Sequence, residues 1–246
     1  ASIDNNSISR EIKCRIIQHY IEKLFYDIFI VANISAPGCF NLYGMKYIID
    51  DGVEGQIGLY SGQFESAWKW TNDNKWPNIQ YIPLINVWDW YNNLGIGTRQ
   101  IARTKLERVI FALLHFSNSE DINAINLIWL AHALESLFDT PEALISQTLK
   151  NRIFLVLQEP QNTKAMRKKI NEFYQLRSSF VHGDFDINHP LNNTIFEDEL
   201  FDYGYNIMDA ECTAIAIIIA TLQIMVKNGW TDIEFKESYT GKYIST

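Results

Sequence analysis

The run "AIAIIIATLQIMV" at residues 214–226 constrains the fold more than any other feature, because it offers no polar face at all. It is too short to cross a hydrocarbon core, which needs roughly 20 residues, so it reads as a buried helix. The rest of the chain must then supply enough apolar surface to cover it. At 246 residues the chain can do so, as one large domain or as a small domain beside a medium one. With 47% hydrophobic and 20% charged residues, no low-complexity tract and no internal repeat, disorder is expected only at the ends.

Helix signals fill most of the chain. Ser7 or Ser9 can cap a first helix carrying Ile12, Ile16, His19/Tyr20, Leu24 and Ile28, which should run to about Ile34 and break at Ala36-Pro37-Gly38. Two short β-rich runs around Asp51-Gly52 and Glu54-Gly55 read as a hairpin. Five of the seven tryptophans crowd into residues 68–90, with so little periodicity that irregular structure packed on a neighbour is expected. Base stacking in a single-stranded site is the competing reading of that cluster.

After Gly95 and Gly97 the pattern is helical only. One helix carries Ile101, Leu106, Val109, Ile110, Leu113 and Leu114. A second starts at Asp121 or Asn123 and reaches Phe138, and Thr140-Pro141-Glu142 starts a third with proline at its first position. The fourth runs from near Thr163 to Gly183, a suitable left-handed cap, and the last from about Met208 to Lys227, closed by Asn228-Gly229. Short connections make an up-and-down bundle the natural packing. The expected organisation is a small N-terminal α+β extension with a Trp-rich segment over 1–95, a helical bundle over 96–230, and a tail over 231–246.

Cys14, Cys39 and Cys212 are odd in number and far apart, which indicates neither a disulfide framework nor a zinc ribbon. A reduced, cytoplasmic setting is expected, without export, since the first residues are polar and lack a signal-peptide core. The net charge of −8 argues against coating nucleic acid by bulk electrostatics. Locally the balance reverses. From Thr163 to His182, Lys164, Arg167, Lys168, Lys169 and Arg177 oppose Glu172 alone, whereas residues 190–211 carry only acidic charges.

The end of the fourth helix, "FYQLRSSFVHGDF" at 173–185, holds the chemistry. Met166, Ile170, Phe173 and Phe180 form one stripe, and Arg177 stands in it where an apolar residue would be expected, so Arg177 points toward something packed. His182 lies five residues on, about 140° around the helix, so the two converge only where the helix ends or where a second copy supplies the partner. Ser178 and His182 are i, i+4 neighbours. A guanidinium offers a rigid fork of donors to phosphate oxygens, and an imidazole carries protons near neutral pH. The two are a minimal set for cleaving a phosphodiester without a metal. An arginine and a histidine that merely favour a helix C-terminus remain the plain alternative.

"FYQLRSSFVHGD" resembles the signature of HEPN domains of the Apea-like branch, a Tyr-x-x-Arg-Ser-x-x-x-His-Gly string closing a central helix. "LIWLAHALESLF", with Glu135 before Ser136-Leu137, is similar to that branch's second helix, and "IPLINVWDWY" to the segment that often precedes the bundle. The resemblance covers about residues 80–230. It implies a HEPN-like bundle that pairs as a homodimer or higher homo-oligomer, with Arg177 and His182 of both chains in one cleft, acting as a metal-independent ribonuclease of the kind similar to toxins and anti-phage defence effectors. Where the wider superfamily often has Asn, Asp or His after the arginine, this chain has Ser178, which can orient a phosphate but carries no proton.

On this reading Arg177, His182, Ser178 and Glu135 are the catalytic set, with Glu135 compensating the facing arginines. Lys164, Arg167, Lys168 and Lys169 form an RNA-backbone track or, equally, a solvated helix face. RNA is the expected substrate, no cofactor or metal is required, no membrane is involved, and a regulatory protein partner is a further expectation. Glu135 with His132 could ligate a metal, but no second such pair exists, and His132, His115 and His19 are expected in core hydrogen bonds with His189 in a loop. The competing function is a catalytically inactive nucleotide-binding or dimerisation module.

Overall fold

A computed structural model describes residues 10–49, 52–141, 145–189, 191 and 197–236. Within them the fold is mainly α, with helices α1 (Arg10–Ser35), α2 (Gly62–Asn74), α3 (Leu84–Asn93), α4 (Lys105–Phe116), α5 (Ala124–Leu137), α6 (Ile145–Leu157), α7 (Thr163–His182) and α8 (Glu199–Asn228), and strands β1 (Met45–Ile49) and β2 (Val53–Ile57).

The strands pair antiparallel with Met45 opposite Ile57. The ring of Tyr47 lies over Gly55, where a Cβ would sit 2.0 Å from it, so glycine is needed there for the ring to lie flat. The expected break after α1 occurs where predicted. Buried Asn33 accepts from the Gly38 N–H at 2.9 Å and donates to the carbonyls of Phe29 and Phe40, each at 2.9 Å, which satisfies the helix end away from water. The serines proposed to cap α1 lie outside the described residues, as do Asp51 and Glu142.

Local signals account for the later helices. Thr104 and Glu107 form a reciprocal capping box on α4. Asn123 caps α5 by accepting from Ile125 N–H at 3.0 Å, and Asn162 caps α7, which begins at Thr163 as expected. Gly183, at φ 81°, closes α7, and Gly229, at φ 65°, closes α8.

Two expectations are corrected. The Trp-rich segment is not irregular throughout, because α2 and α3 occupy most of it. Its buried indoles find their partners far along the chain: Trp70 donates to Asp209 at 2.8 Å, Trp76 to the Gln158 carbonyl at 3.0 Å and Trp90 to the Trp230 carbonyl at 2.7 Å. The last helix begins at Glu199 rather than near Met208. Glu199 and Asp202 occupy its first turn, where carboxylates favour the positive end of the helix dipole.

That extension changes the argument from length. By length and composition α8 could cross a bilayer, yet 83% of its apolar window is buried within the fold. Every residue from Ala210 to Gln223 is buried. Helices α1, α2, α3, α5, α6 and α7 all pack on α8. Phe29, Phe64 and Trp90 from the N-terminal part belong to the same hydrophobic core as Leu134, Phe173 and Ile218. Gln223, wholly buried, ties these layers together by donating to the carbonyls of Ile34 and Gln80, each at 2.8 Å, while accepting from the Gln80 N–H at 3.1 Å.

Candidate functional site

Buried Met166, Ile170 and Phe173 form the inward stripe of α7 and fix its rotation, so that Arg177 turns toward α5. There its Nη2 lies 3.8 Å from Glu135 Oε1, with both side chains about a quarter to a third exposed. Glu135, Tyr174, Arg177 and Ser178 line one cleft of about 470 Å³ together with Ile145, Ser146, Asn171 and Gln175. Three of the expected catalytic residues therefore meet in one place.

Polar groups in this cleft are unusually free. Glu135 Oε1, the Tyr174 hydroxyl and Arg177 Nε are buried with no hydrogen-bond partner among the described residues. Buried polar atoms are normally paired, and leaving one unpaired costs roughly 1–3 kcal/mol, so three around one cleft set it apart within the described fold. Burial pushes the Glu135 carboxyl above its ordinary range, opposed by the nearby charges of Arg177 and His132. Burial pushes the Tyr174 phenol up as well, with Glu135 adding to it. The tyrosine is thus a hydrogen-bond donor at physiological pH rather than a base.

The fourth expected residue lies elsewhere. His182 is the last residue of α7, exposed, and not among the cleft's lining. The helix stays regular to that point, so the two side chains leave it in different directions. Val181, the neighbour of His182 in sequence, is exposed too, as are Ile187 and Leu191 in the segment that follows and Phe201 and Tyr205 on α8. Phe185 packs against Phe180 and Tyr203, joining the segment after α7 to the start of α8.

The basic residues on α7 have separate surroundings. Lys169 is bound to both carboxylate oxygens of Asp209 at 2.8 Å and sits over the Trp70 ring, so it serves the α2–α7–α8 packing. Arg167 lies over Phe154 and 3.5 Å from Glu159. Lys168 pairs with Glu172 at 3.1 Å on the surface, and Lys164 is exposed.

The histidine expectations also change. His132 and His115 are exposed, not core residues, and His115 stacks flat on Trp129 at 4.3 Å. His19 is half-buried, with Nε2 3.4 Å from Gln100 Nε2, and His189 is in a loop, accepting from the Leu191 N–H at 3.0 Å.

The sequence shows Tyr174 only as the first position of the Tyr-x-x-Arg string, with no role at the site, and does not single out Lys150 at all. Tyr174 stands three residues before Arg177, one turn away on the same face, which is a signal the string itself contained. Lys150 on α6 is buried and donates to Asn171 Oδ1 at 2.7 Å, a contact that no spacing in the sequence announces. Set against models of known protein families, curated proteins and solved structures, the chain matches none.

Proposed function

We propose that this protein is a HEPN-type, metal-independent endoribonuclease, a defence or toxin effector whose active site forms between two copies of the chain. The observation that carries the reading is the placement of Arg177 beside an open cleft with Glu135 and Ser178, while His182 stands exposed at the foot of the same helix. Arg177 holds the phosphate, Glu135 steadies the guanidinium, and Ser178 orients a phosphate oxygen. One ring nitrogen of His182 takes the proton of a ribose 2′-OH. The 2′-oxygen attacks the adjacent phosphorus, the bond to the 5′-oxygen breaks, and the leaving oxygen receives a proton from the histidine of the second copy. The products are a 2′,3′-cyclic phosphate and a free 5′-hydroxyl. Such acid–base help contributes about 10² to 10⁴ in rate.

Pairing is needed because Arg177 and His182 diverge by about 140° on one helix. Exposed Val181 next to His182 and exposed Ile187 just after the helix support a partner surface at that end. The test is RNA cleavage by the purified protein in excess chelator, with the oligomeric state measured alongside. Arg177→Ala and His182→Ala should each abolish cutting. Cleavage undiminished in both variants, or a strictly monomeric active protein, would sink the reading.

One observation favours a second reading, a silent binding module: His182 stays outside the cleft that holds Arg177, so the cleft could bind without cutting. Measurable nucleotide affinity with no turnover on any RNA would decide for it.

A further inference from the structure

Asn171, Tyr174, Arg177 and Ser178 follow one another on α7 at helical spacing, and all four line the same cleft. From the first to the last the row spans roughly 10 Å, longer than one phosphate group. Arg177 occupies one end of it and Asn171 the other.

The orientation of Asn171 is fixed by chemistry. An ammonium group has donors and no acceptor, so the atom facing Lys150 Nζ at 2.7 Å is the carboxamide oxygen. The same oxygen accepts from Ser146 Oγ at 3.1 Å. The amide nitrogen is therefore the end that Asn171 has left to offer. The row then carries N–H from Asn171, O–H from Tyr174 and N–H from Arg177 Nε, the last two unpaired among the described residues and with almost no exposure of their own. Among the lining residues the charges of Arg177 and Glu135 balance, and Lys150, buried behind Asn171, adds a further positive charge. Donors in series with a net positive charge suit an anion with several oxygens.

We propose that Asn171 and Tyr174 form a subsite for a phosphodiester group of RNA neighbouring the one that is cleaved, with Lys150 as the positioning residue that turns the Asn171 amide toward it. The identity of the ligand rests on the ribonuclease reading. Within it, the subsite makes each chain grip two linkages, one at Arg177 and one at the Asn171–Tyr174 end.

The probe is a short RNA made uncleavable by a single 2′-deoxy residue, carrying one neutral methylphosphonate that is moved from linkage to linkage, with affinity read by fluorescence anisotropy. At one linkage beside the blocked one, the neutral group should weaken binding to the parent by about tenfold. In Tyr174→Phe and Asn171→Leu that linkage-specific loss should shrink to less than about twofold, because the donor it depended on is gone. Lys150→Met should reproduce the Asn171 effect, and Lys150→Arg should restore it. Tyr174→Phe keeps the ring and removes an unpaired hydroxyl, so a melting temperature no lower than the parent's guards against a folding artefact. Equal losses at every linkage in parent and variants would overturn the subsite, and if unmodified RNA is still cut in an Arg177- and His182-dependent way, the nuclease reading survives that failure. RNA neither bound nor cut would sink both.

Discussion

Arg177 Nη2 and Glu135 Oε1 approach to 3.8 Å between α7 and α5 without forming a hydrogen bond, an ion pair held a little open beside the cleft. Its partners are semi-buried, so removing one strands the other. Glu135→Ala should destabilise the fold by about 1–3 kcal/mol in urea unfolding, and Arg177→Met should cost distinctly less in that background than in the parent. Strictly additive losses would show that the two groups do not couple.

Glu211 gives a pH dependence of definite sign. Its carboxyl is buried on α8, accepts from Asn126 at 3.0 Å, has one unpaired oxygen, and burial pushes it up to about 8. The folded state thus keeps a proton that the unfolded chain releases near its ordinary value of 4.5. The stabilisation is complete below that value and is lost as pH rises through about 8, at up to about 1.4 kcal/mol per pH unit. Glu211→Gln should flatten this stretch of the stability profile and exceed the parent in stability at pH 8. An unchanged slope would refute the assignment.

Lys169 should behave as a structural cation. Its two-oxygen contact with Asp209 is three-quarters buried, so Lys169→Gln should lower stability by about 1–3 kcal/mol. Lys164→Gln and Lys168→Gln should stay within about 0.5 kcal/mol, as surface changes do. If RNA binding depends on basic charge here, its salt dependence should follow Lys164 and Lys168. Equal stability losses at all three positions would contradict the distinction.

Shared burial predicts interdependence of the two halves of the chain. Phe64 and Trp70 of α2 pack in the core with α8, and Trp70 also donates to Asp209. A fragment beginning at residue 96 should expose that face of α8 and show no cooperative unfolding by circular dichroism. Phe64→Ala in the whole chain should cost about 3–5 kcal/mol. A fragment that melts like the parent would refute the dependence.

Much of the bundle was legible because its signals are local. Thr104 and Glu107 sit three residues apart, and Gly183 and Gly229 mark the ends of α7 and α8. What escaped depends on distance. The indole of Trp70 is satisfied 139 residues away, so α2 looked like an aromatic tangle until Asp209 was beside it. The first turns of α8 carry acid where the apolar pattern has yet to begin. In the site, Arg177 was visible because it interrupts an apolar stripe. Tyr174 was visible only as a letter of the string, since nothing in the sequence shows that its hydroxyl lacks a partner beside Arg177. Lys150 could not be, because its meaning comes from Asn171 on another helix.

The central position of α8 has a consequence for synthesis. It is built from residues 199–228, after every element it organises. At about 5–20 residues per second, a ribosome needs about 10–40 s to pass from α1 to α8, and until then the faces that α1, α2, α5 and α7 turn toward α8 lack their cover. The newborn polypeptide thus closes its core only when that shared axle arrives.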